Sequence, residues 1–590
     1  MPDQKDDSII LINKRFKQSR DYAQTYQTNA KKWYKHYRSY KAKSDFPFKN
    51  NIFVPYCFTL IETSVAREAT TALSRSPVAS CQSRLFNSSN GDKLAKGWER
   101  YVNYYLENPD FEFYLEYMNH IKNQRIYGNG TIMVTPEFDI NDPFLKFKGP
   151  KFESRSFWDI FPDPTCRRAT RARYMIYRSI VPWEDIEEKM AQGIYEKISK
   201  DDIKANTNTY FAETQSDAIK ETGREAKDII QKDENTYEIL DYFSVGNIET
   251  VIGGATKVRD TKKNPKSKLP YNHPFNESRY ITHPEEYYGS GMPETVDGLI
   301  EELNLIRNQR RDNVDIAINK MFIIDMNSDI DEDDLVSCPG GAIRTLNMDG
   351  IKPLEFENVT ENAYTEESIV KQDFENALGE FIYSRGGTPE RRETATTIVR
   401  LQGAAQTRFT MSMQVNEITC FRQICMKIAL MGHRYQDIVD MTKIVGDMNL
   451  AKEMKNMPIA DLSAGYNFKF ANTDMSGMKE IRTNMISQAL ELALKMPMQA
   501  TMQGPTPYAI DSYPLAKKLY ENLDFDNVEE NIVKKAPPPP PQVQPGMQMG
   551  GPGGPGMPPQ PGQVGRNVMP AELLAALSQG QGLPPGGPIQ

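Results

Sequence analysis

The sequence has neither a cysteine pair nor a histidine cluster. Its six cysteines are scattered along 590 residues without a CxxC spacing, and its five histidines include no HExxH motif. Zinc centres need such ligands at short, regular spacings, so a metal site has no support in the sequence. The first residues, MPDQKDDSII, lack the basic and then apolar pattern of a signal peptide. We therefore expect reduced and mostly buried thiols.

Long apolar runs and nucleotide-binding loops are also absent. No stretch of about 18 apolar residues occurs, which argues against a membrane-spanning helix. The chain contains no GxxxxGK[ST] loop, no GxGxxG after a predicted strand and no GxSxG elbow. Its carboxylate pairs lie in charged runs that are typical of solvated surface. The sequence therefore predicts no catalytic residue and no bound cofactor, and it favours a structural or interaction role.

An excess of acidic residues gives the chain a net charge of −8, from 71 lysines and arginines against 79 aspartates and glutamates. Proteins that grip DNA usually show a basic balance or a clear basic patch. The acidic balance argues against tight phosphate binding as the main task, although it does not exclude DNA as a partner. A surface along which DNA slides would need to bind the DNA only weakly.

Residues 14–49 are basic and aromatic. Their aromatic residues recur at steps of three, four or seven, as on one face of a helix: Tyr22, Tyr26, Trp33, Tyr37 and Tyr40. One interpretation is nucleic-acid contact through stacking and charge. The favoured interpretation is an amphipathic helix docked by its aromatic face, with its lysines in solvent. A second helix is predicted from Pro55, with a stripe that begins Phe58, Ile61, Val65, and a third over roughly residues 93–124.

Strand patterns follow these helices. Residues 131–135 predict a strand, and strand-like pieces flank the turn at Asp163-Pro164. Residues 183–235 are polar with weak helical spacing, whereas residues 235–290 predict a small β-rich module. The predicted fold class is mainly α with a smaller β component (α+β).

From Met292 the pattern turns helical again. An apolar stripe is followed by RNQRRDN, residues 307–313, which is polar around its full circumference. Such a segment bridges modules, faces water or meets polar neighbours.

The stretch DMNSDIDEDD, residues 325–334, resembles the start of a calcium-binding loop. Asp325 occupies the first ligand position, but Ile330 stands where the sharp turn needs glycine and Val336 where the bidentate glutamate belongs. The favoured interpretation is a solvated acidic loop, so no metal ligand is predicted.

A second arginine-rich stretch, YSRGGTPERRETATTIVRLQGAAQTRF, covers residues 383–409. Its glycines and Pro389 predict a turn crowded by three arginines, but the lysine and the strand–helix setting of a phosphate cradle are missing. A long helix is predicted after the turn. Its apolar stripe comprises Ile398, Leu401, Ala405, Met411, Val415, Ile418, Phe421, Cys425 and Ile428.

The order of these features resembles the portal proteins, or head–tail connectors, of tailed bacteriophages, of the short-tailed phage type. Five stretches carry the resemblance: W-x3-YRSY followed by NNIFVPY…IETSVA, FWDIFPDPTCRRATRARYMIYR, EEYYGSGMPETVDGLIEELNLIRNQRRDN, SCPGGAIR and RRETATTIVRLQGAAQTRF. Their order and spacing extend over roughly residues 30–470. The Pro/Gly/Met-rich tail lies outside the resemblance and is predicted to be disordered.

The resemblance implies a ring subunit with a wing, a stem, a clip and a crown. Its segments would be an N-terminal wing over 1–182, a polar segment with a candidate first stem helix over 183–234, a clip over 235–290, a stem helix over 291–320, a wing with tunnel loop and long helix over 321–475, a helical crown over 476–535 and the tail over 536–590.

The resemblance also implies a function without enzyme activity. Portal proteins form rings, commonly of twelve subunits, at one capsid vertex of the virion, and double-stranded DNA is packaged and ejected through the channel. The implied partners are the terminase large subunit, the head–tail adaptor, and the major capsid and scaffold proteins, with assembly in the host bacterial cytoplasm and no membrane. The alternatives are another non-enzymatic virion or cell scaffold and, against the motif evidence, a nucleic-acid enzyme.

In this frame the turn near residues 384–393 corresponds to the tunnel loop. Its predicted DNA-facing residues are Ser384, Arg385, Gly386, Gly387, Thr388, Arg391 and Arg392. The loop arginines either contact DNA phosphates weakly or pair with Glu390, Glu393 or a neighbouring subunit. On the stem helix, Arg307, Arg310 and Arg311 are predicted to form inter-subunit salt bridges or to face the channel.

Overall fold

A computed structural model gives the structure of the chain. It describes residues 7–40, 50–73, 76–84, 89–139, 146–200, 236–244, 247–262, 268–318, 321–325, 351–354, 360–379, 407–471 and 487. These residues belong to the compact unit Met1–Leu515. The tunnel-loop prediction, the SCPGGAIR stretch, the tail and, apart from residue 487, the predicted crown lie outside the described residues.

The described residues are mostly helical, with a smaller strand component, which confirms the predicted α+β class. The helices are α1 (Asp7–Tyr37), α2 (Tyr56–Leu73), α3 (Ser89–Glu107), α4 (Phe113–Tyr127), α5 (Trp183–Ala191), α6 (Met292–Thr295), α7 (Asp297–Ile318), α8 (Thr360–Leu378), α9 (residues 407–435, with a π-helical turn at Glu417–Phe421), α10 (Ile438–Val445), α11 (Met448–Asn456) and α12 (Ile459–Gly465).

The strands form antiparallel sheets. They are β1 (Ala79–Ser83), β2 (Asn129–Phe138), β3 (Phe147–Ser154), β4 (Ile160–Pro162), β5 (Tyr174–Pro182), β6 (Thr236–Ser244), β7 (Asn247–Ile252), β8 (Thr256–Asp260), β9 (Phe275–Arg279), β10 (Phe322–Ile324), β11 (Ile351–Pro353) and β12 (Tyr466–Phe470). The sheet orders are β4-β5-β6-β7-β8, β3-β2-β9, β1-β12 and β10-β11.

Helix α1 is docked by its aromatic face, as favoured from the sequence. Trp33 and Tyr37 are buried. Tyr26 packs on Tyr288 with ring centroids 4.4 Å apart. Aromatic rings bury a large area, so they anchor a helix whose lysines stay in water.

Three helical predictions were wrong in detail. Phe58, Met411 and Ile418 were placed on buried stripes, yet their side chains are exposed, because tertiary contacts of α2 and α9 use other faces. The single helix predicted over residues 93–124 is two helices. Asn108 caps a 3₁₀ turn that begins at Pro109, and Glu112 follows with a left-handed backbone.

The stretch 235–290 is rich in strands, but these strands do not form a sheet by themselves. Strands β6, β7 and β8 extend the sheet of β4 and β5, whereas β9 pairs with β2. A buried cluster beneath α5 includes Trp183, Ile186 and the strand residue Ile239. The assignment of this stretch to a clip stays a prediction.

Candidate functional site

The candidate site is the arginine-bearing helix α7. The short helix α6 precedes it, with Pro293 in its first turn, where a missing amide hydrogen costs nothing. Asp297 begins α7, and its carboxylate lies 2.7 Å from Lys32 Nζ and 2.8 Å from His36 Nε2. Burial would raise the pKa of Asp297, but hydrogen bonds from Lys32 and His36 hold it below its usual value. These contacts fix the start of α7 against α1.

Polar side chains of α7 bind an extended stretch of backbone. Asn304 Oδ1 accepts from the amide of Val54 at 2.8 Å, and Asn308 Oδ1 accepts from the amide of Ile52 at 2.7 Å. Asp312 accepts from the amide of Asn50 at 2.7 Å. Four helical residues rise about 6 Å and two extended residues about 6.6 Å, so the two repeats match. One side of the RNQRRDN segment is therefore occupied by polar neighbours, one of the three arrangements that its sequence allowed.

Arg310 lies on a second, buried side of α7. Its side chain is 5% exposed, and its Nη1 lies 2.5 Å from Glu367 Oε2 on α8. The guanidinium also lies 4.1 Å from the centroid of the Tyr364 ring. An arginine fork suits both a carboxylate and an aromatic face, so Arg310 joins α7 to α8 within one chain.

The other two arginines of the site are more exposed. Arg307 lies 3.7 Å from Glu367, and Arg311 lies 3.3 Å from Asp315 one turn further along α7. Glu367 also forms an ion pair with Lys371, whose Nζ lies 2.8 Å from Oε1. Burial would raise the pKa of Glu367, but Lys371 and Arg310 hold it below its usual value. The structure thus brings Arg307 and Arg310 together on one carboxylate and gives Arg311 a separate one, while their inter-subunit or channel role stays a prediction.

A buried polar network lies elsewhere, and sequence reasoning missed it. Arg125 and Glu68 form an ion pair with 1% and 0% exposed side chains. Arg125 also donates to Ser64 Oγ at 3.0 Å and to Gln124 Oε1 at 2.9 Å. Asn416, one residue before the π-helical turn, donates to Glu68 and accepts from Gln124. The network joins α2, α4 and α9, and no local pattern announces it because its members are far apart in sequence.

A pocket rich in arginines was also not predicted from the sequence. The loop between β4 and β5, within PDPTCRRATRAR, lines a cavity of about 480 Å³ together with the residues that follow β9. The sequence signal was the density of arginines beside the Asp-Pro turn.

No group of three or more His, Cys, Asp or Glu side chains in the described ranges is arranged to hold a metal ion. No helix among the described residues is long and apolar enough to cross a membrane.

Comparison with protein families identifies the class of protein. A family model described as Phage SU10 portal protein matches residues 145–550, which is more than half of the chain. The match covers α5 to α12, including the arginine helix, and makes the chain a phage portal protein, a structural component of the virion. The chain belongs to the phage SU10 portal protein family. No curated protein sequence matches it.

Proposed function

We propose that the chain assembles into a ring at one capsid vertex and forms the channel through which double-stranded DNA is packaged and ejected. The family match over residues 145–550 carries this proposal. The ring has twelve subunits and acts without enzyme activity. It docks the terminase large subunit during packaging and the head–tail adaptor afterwards, and it contacts capsid and scaffold proteins.

The charge arrangement of α7 supports a passive conduit. Each of its three arginines lies within 4 Å of a carboxylate of the same chain. Together with the net charge of −8, this leaves α7 without a continuous row of unpaired cations. A conduit needs that property, because every phosphate neutralised by a lysine or arginine releases counterions and strengthens DNA binding.

The arginine-rich turn supplies the part of the channel that meets DNA in this proposal. Copies of Arg385, Arg391 and Arg392 encircle the channel, where they touch phosphates transiently or hold the neighbouring loop. Positions that contact only phosphates impose no sequence preference, as passage of a whole genome requires.

Electron microscopy of the purified protein tests the ring. We expect closed rings with a central hole in negative stain across a range of salt concentrations. Monomers or open filaments under all of these conditions would overturn the proposed ring.

A triple substitution tests the turn. Replacing Arg385, Arg391 and Arg392 by alanine should lower packaging or DNA retention while rings still form. The matched control replaces three exposed lysines of the described surface, Lys93, Lys96 and Lys452, and should leave packaging unchanged. Failure of the turn variant to form rings would instead assign these arginines to contacts between subunits.

A further inference from the structure

The arginine pocket is a concentrated positive site on an acidic protein. It is lined by Thr165, Cys166, Arg167, Arg168, Arg171, Arg279, Thr282, His283 and Pro284. Four arginines and a histidine thus face a cavity of about 480 Å³ whose lining has no carboxylate. Hydrogen bonds to Asp163 stabilise the loop that supplies three of these arginines. Asp163 accepts from the amide of Thr165 at 3.0 Å and from Arg173 Nε at 2.7 Å.

The three arginines of the β4–β5 loop are available to bind a ligand or another protein. Arg167, Arg168 and Arg171 are exposed, and none forms an ion pair with another described residue. Arg279 is different, because it is buried and donates from Nη1 to the carbonyl oxygen of Glu286 at 2.9 Å. Arg279 is thus anchored within the chain, where its Nε also lies 3.7 Å from the buried carboxylate of Glu277, whereas the other three arginines of the pocket have no ion pair among the described residues.

Arginine forks recognise planar oxyanions, most often carboxylates or phosphates, through paired hydrogen bonds. The pocket is concave and its volume is that of a small-ligand site, which suits a few carboxylate side chains. A DNA duplex presents its phosphates on a broad convex surface and would favour an extended basic strip instead. The shape therefore favours an acidic protein segment.

Such a segment occurs on the same chain. Helix α5 buries Trp183 and Ile186, and the opposite face exposes three carboxylates, Glu184, Asp185 and Glu188. A fourth carboxylate, Glu187, lies beside the buried face and accepts a hydrogen bond from Trp183 Nε1 at 2.5 Å. The two apolar residues fix this face outward by packing on β-strand residues such as Ile239. The acidic face is therefore a rigid partner of the right charge.

The pocket and the acidic face lie at opposite ends of strand β5. The arginine loop ends where β5 begins at Tyr174, and α5 starts directly after β5 ends at Pro182. A strand of this length spans about 27 Å, so one copy cannot bring its own two surfaces together. Two copies can, if the pocket of one meets α5 of the next.

We propose that the arginine pocket binds the acidic face of α5 on a second copy of this chain. The contact joins different surfaces head to tail, and repeated contacts of that kind close into a ring when the rotation between copies allows it. This inference rests on the proposed ring and names a contact surface that would hold neighbouring subunits together.

Charge reversal tests the contact. The variant Arg167→Glu/Arg168→Glu/Arg171→Glu and the variant Glu184→Lys/Asp185→Lys/Glu188→Lys each place like charges at the contact. Like-charge contacts are strongly unfavourable, so we expect each variant to raise the protein concentration needed for half-assembly at least about tenfold. The combined six-residue variant restores opposite charges and should recover most of the assembly. Sedimentation and negative stain measure all three.

The matched control is Lys93→Glu/Lys452→Glu, which reverses charge at two exposed lysines outside both surfaces and should assemble like the unmodified protein. Circular dichroism checks that each variant is folded. If the unmodified protein forms rings and the pocket variant forms them equally well, the contact is wrong although the ring proposal stands. Lack of recovery in the combined variant would overturn the pairing with α5. A pocket variant that keeps its rings but loses affinity for duplex DNA in filter binding would overturn it in favour of a nucleic-acid site.

Discussion

Two arginine–glutamate pairs of this protein occupy very different surroundings. Arg125 and Glu68 are fully buried among α2, α4 and α9, with Ser64 and Asn416 completing their hydrogen bonds. Arg310 and Glu367 are also buried, but Glu367 lies within reach of two half-exposed cations, Arg307 and Lys371. One pair is thus enclosed by neutral polar side chains, and the other is connected to the surface by further charges.

The difference in surroundings indicates which of the two ion pairs is able to contact a neighbouring subunit. A buried ion pair costs desolvation, and its loss leaves an unpaired charge in a medium of low dielectric constant. Its role is therefore to fix three helices. Glu367 is also buried, but Arg307 and Lys371 reach it from the surface, so the loss of one cation leaves the carboxylate paired with another. The α7 group is accordingly the one that can pair with a neighbouring subunit.

The largest expected effect comes from breaking the buried pair. Arg125→Met should lower the free energy of unfolding by about 3–5 kcal/mol, since Glu68 would remain buried without a counter-charge. Urea titration followed by circular dichroism measures the loss. The double variant Arg125→Met/Glu68→Leu should recover part of it. A loss no larger than that of an exposed arginine would contradict the comparison.

A buried lysine elsewhere in the core should also make the stability depend on pH. Burial of Lys427 lowers its pKa from 10.5 to about 7, and its ammonium donates to the carbonyl oxygen of Phe275 at 2.8 Å. Between these pKa values the unfolded chain binds the proton more tightly. Lys427 should therefore contribute a rise in the free energy of unfolding that approaches about 1.4 kcal/mol per pH unit between pH 7 and 9.

The Lys427→Met variant should lose that rise, whereas Lys452→Met, at an exposed position, should keep it. Urea titrations at pH 7, 8 and 9 supply the comparison. An unchanged slope in Lys427→Met would mean that the lysine stays charged in the folded protein.

A smaller effect is expected at the α7 pair. Arg310→Ala should lower the free energy of unfolding by about 1–3 kcal/mol, because Glu367 keeps Arg307 and Lys371 as partners. The stability of Arg310→Lys should lie between those of the unmodified protein and Arg310→Ala. Lysine retains the positive charge but lacks the planar fork that matches the carboxylate. If Arg310→Ala cost as much as Arg125→Met, the two environments would be equivalent.

The smallest effects on folding belong to the exposed arginines. Arg307→Ala and Arg311→Ala should each change the free energy of unfolding by less than about 1 kcal/mol. Rings of the double variant should nevertheless dissociate at lower salt than normal rings if these side chains join subunits. Unchanged ring dissociation would restrict both arginines to the contacts within one chain.

Local sequence patterns predicted where helices and strands occur better than they predicted which of these elements pack or pair together. The aromatic spacing of Trp33 and Tyr37 gave α1 and its docked face, because a helix repeats every 3.6 residues. The signal for the break before α4 was also local, in Asn108 and Pro109, and was overlooked. The pairing of β1 with β12 has no such signal, since nearly 400 residues separate them.

The candidate site was predictable only in part. Its arginines were visible in RNQRRDN, and polar neighbours were one of the three surroundings that the all-round polarity of this segment allowed. Glu367 was not predictable as their partner, because the choice depends on how α7 and α8 cross. The same holds for the pocket, where Arg279 joins the β4–β5 loop only through the sheets.

The π-helical turn at Glu417–Phe421 determines how the two halves of α9 are rotated relative to each other. It puts one residue more into a turn than an α-helix holds, so the two halves of α9 are rotated relative to a regular helix. Phe421 stacks on Phe470 with ring centroids 3.8 Å apart and pins the later half. Deleting one residue in the turn would rotate the earlier half by about 100°. The face that residues 407–416 turn towards their neighbours is therefore set by a residue count.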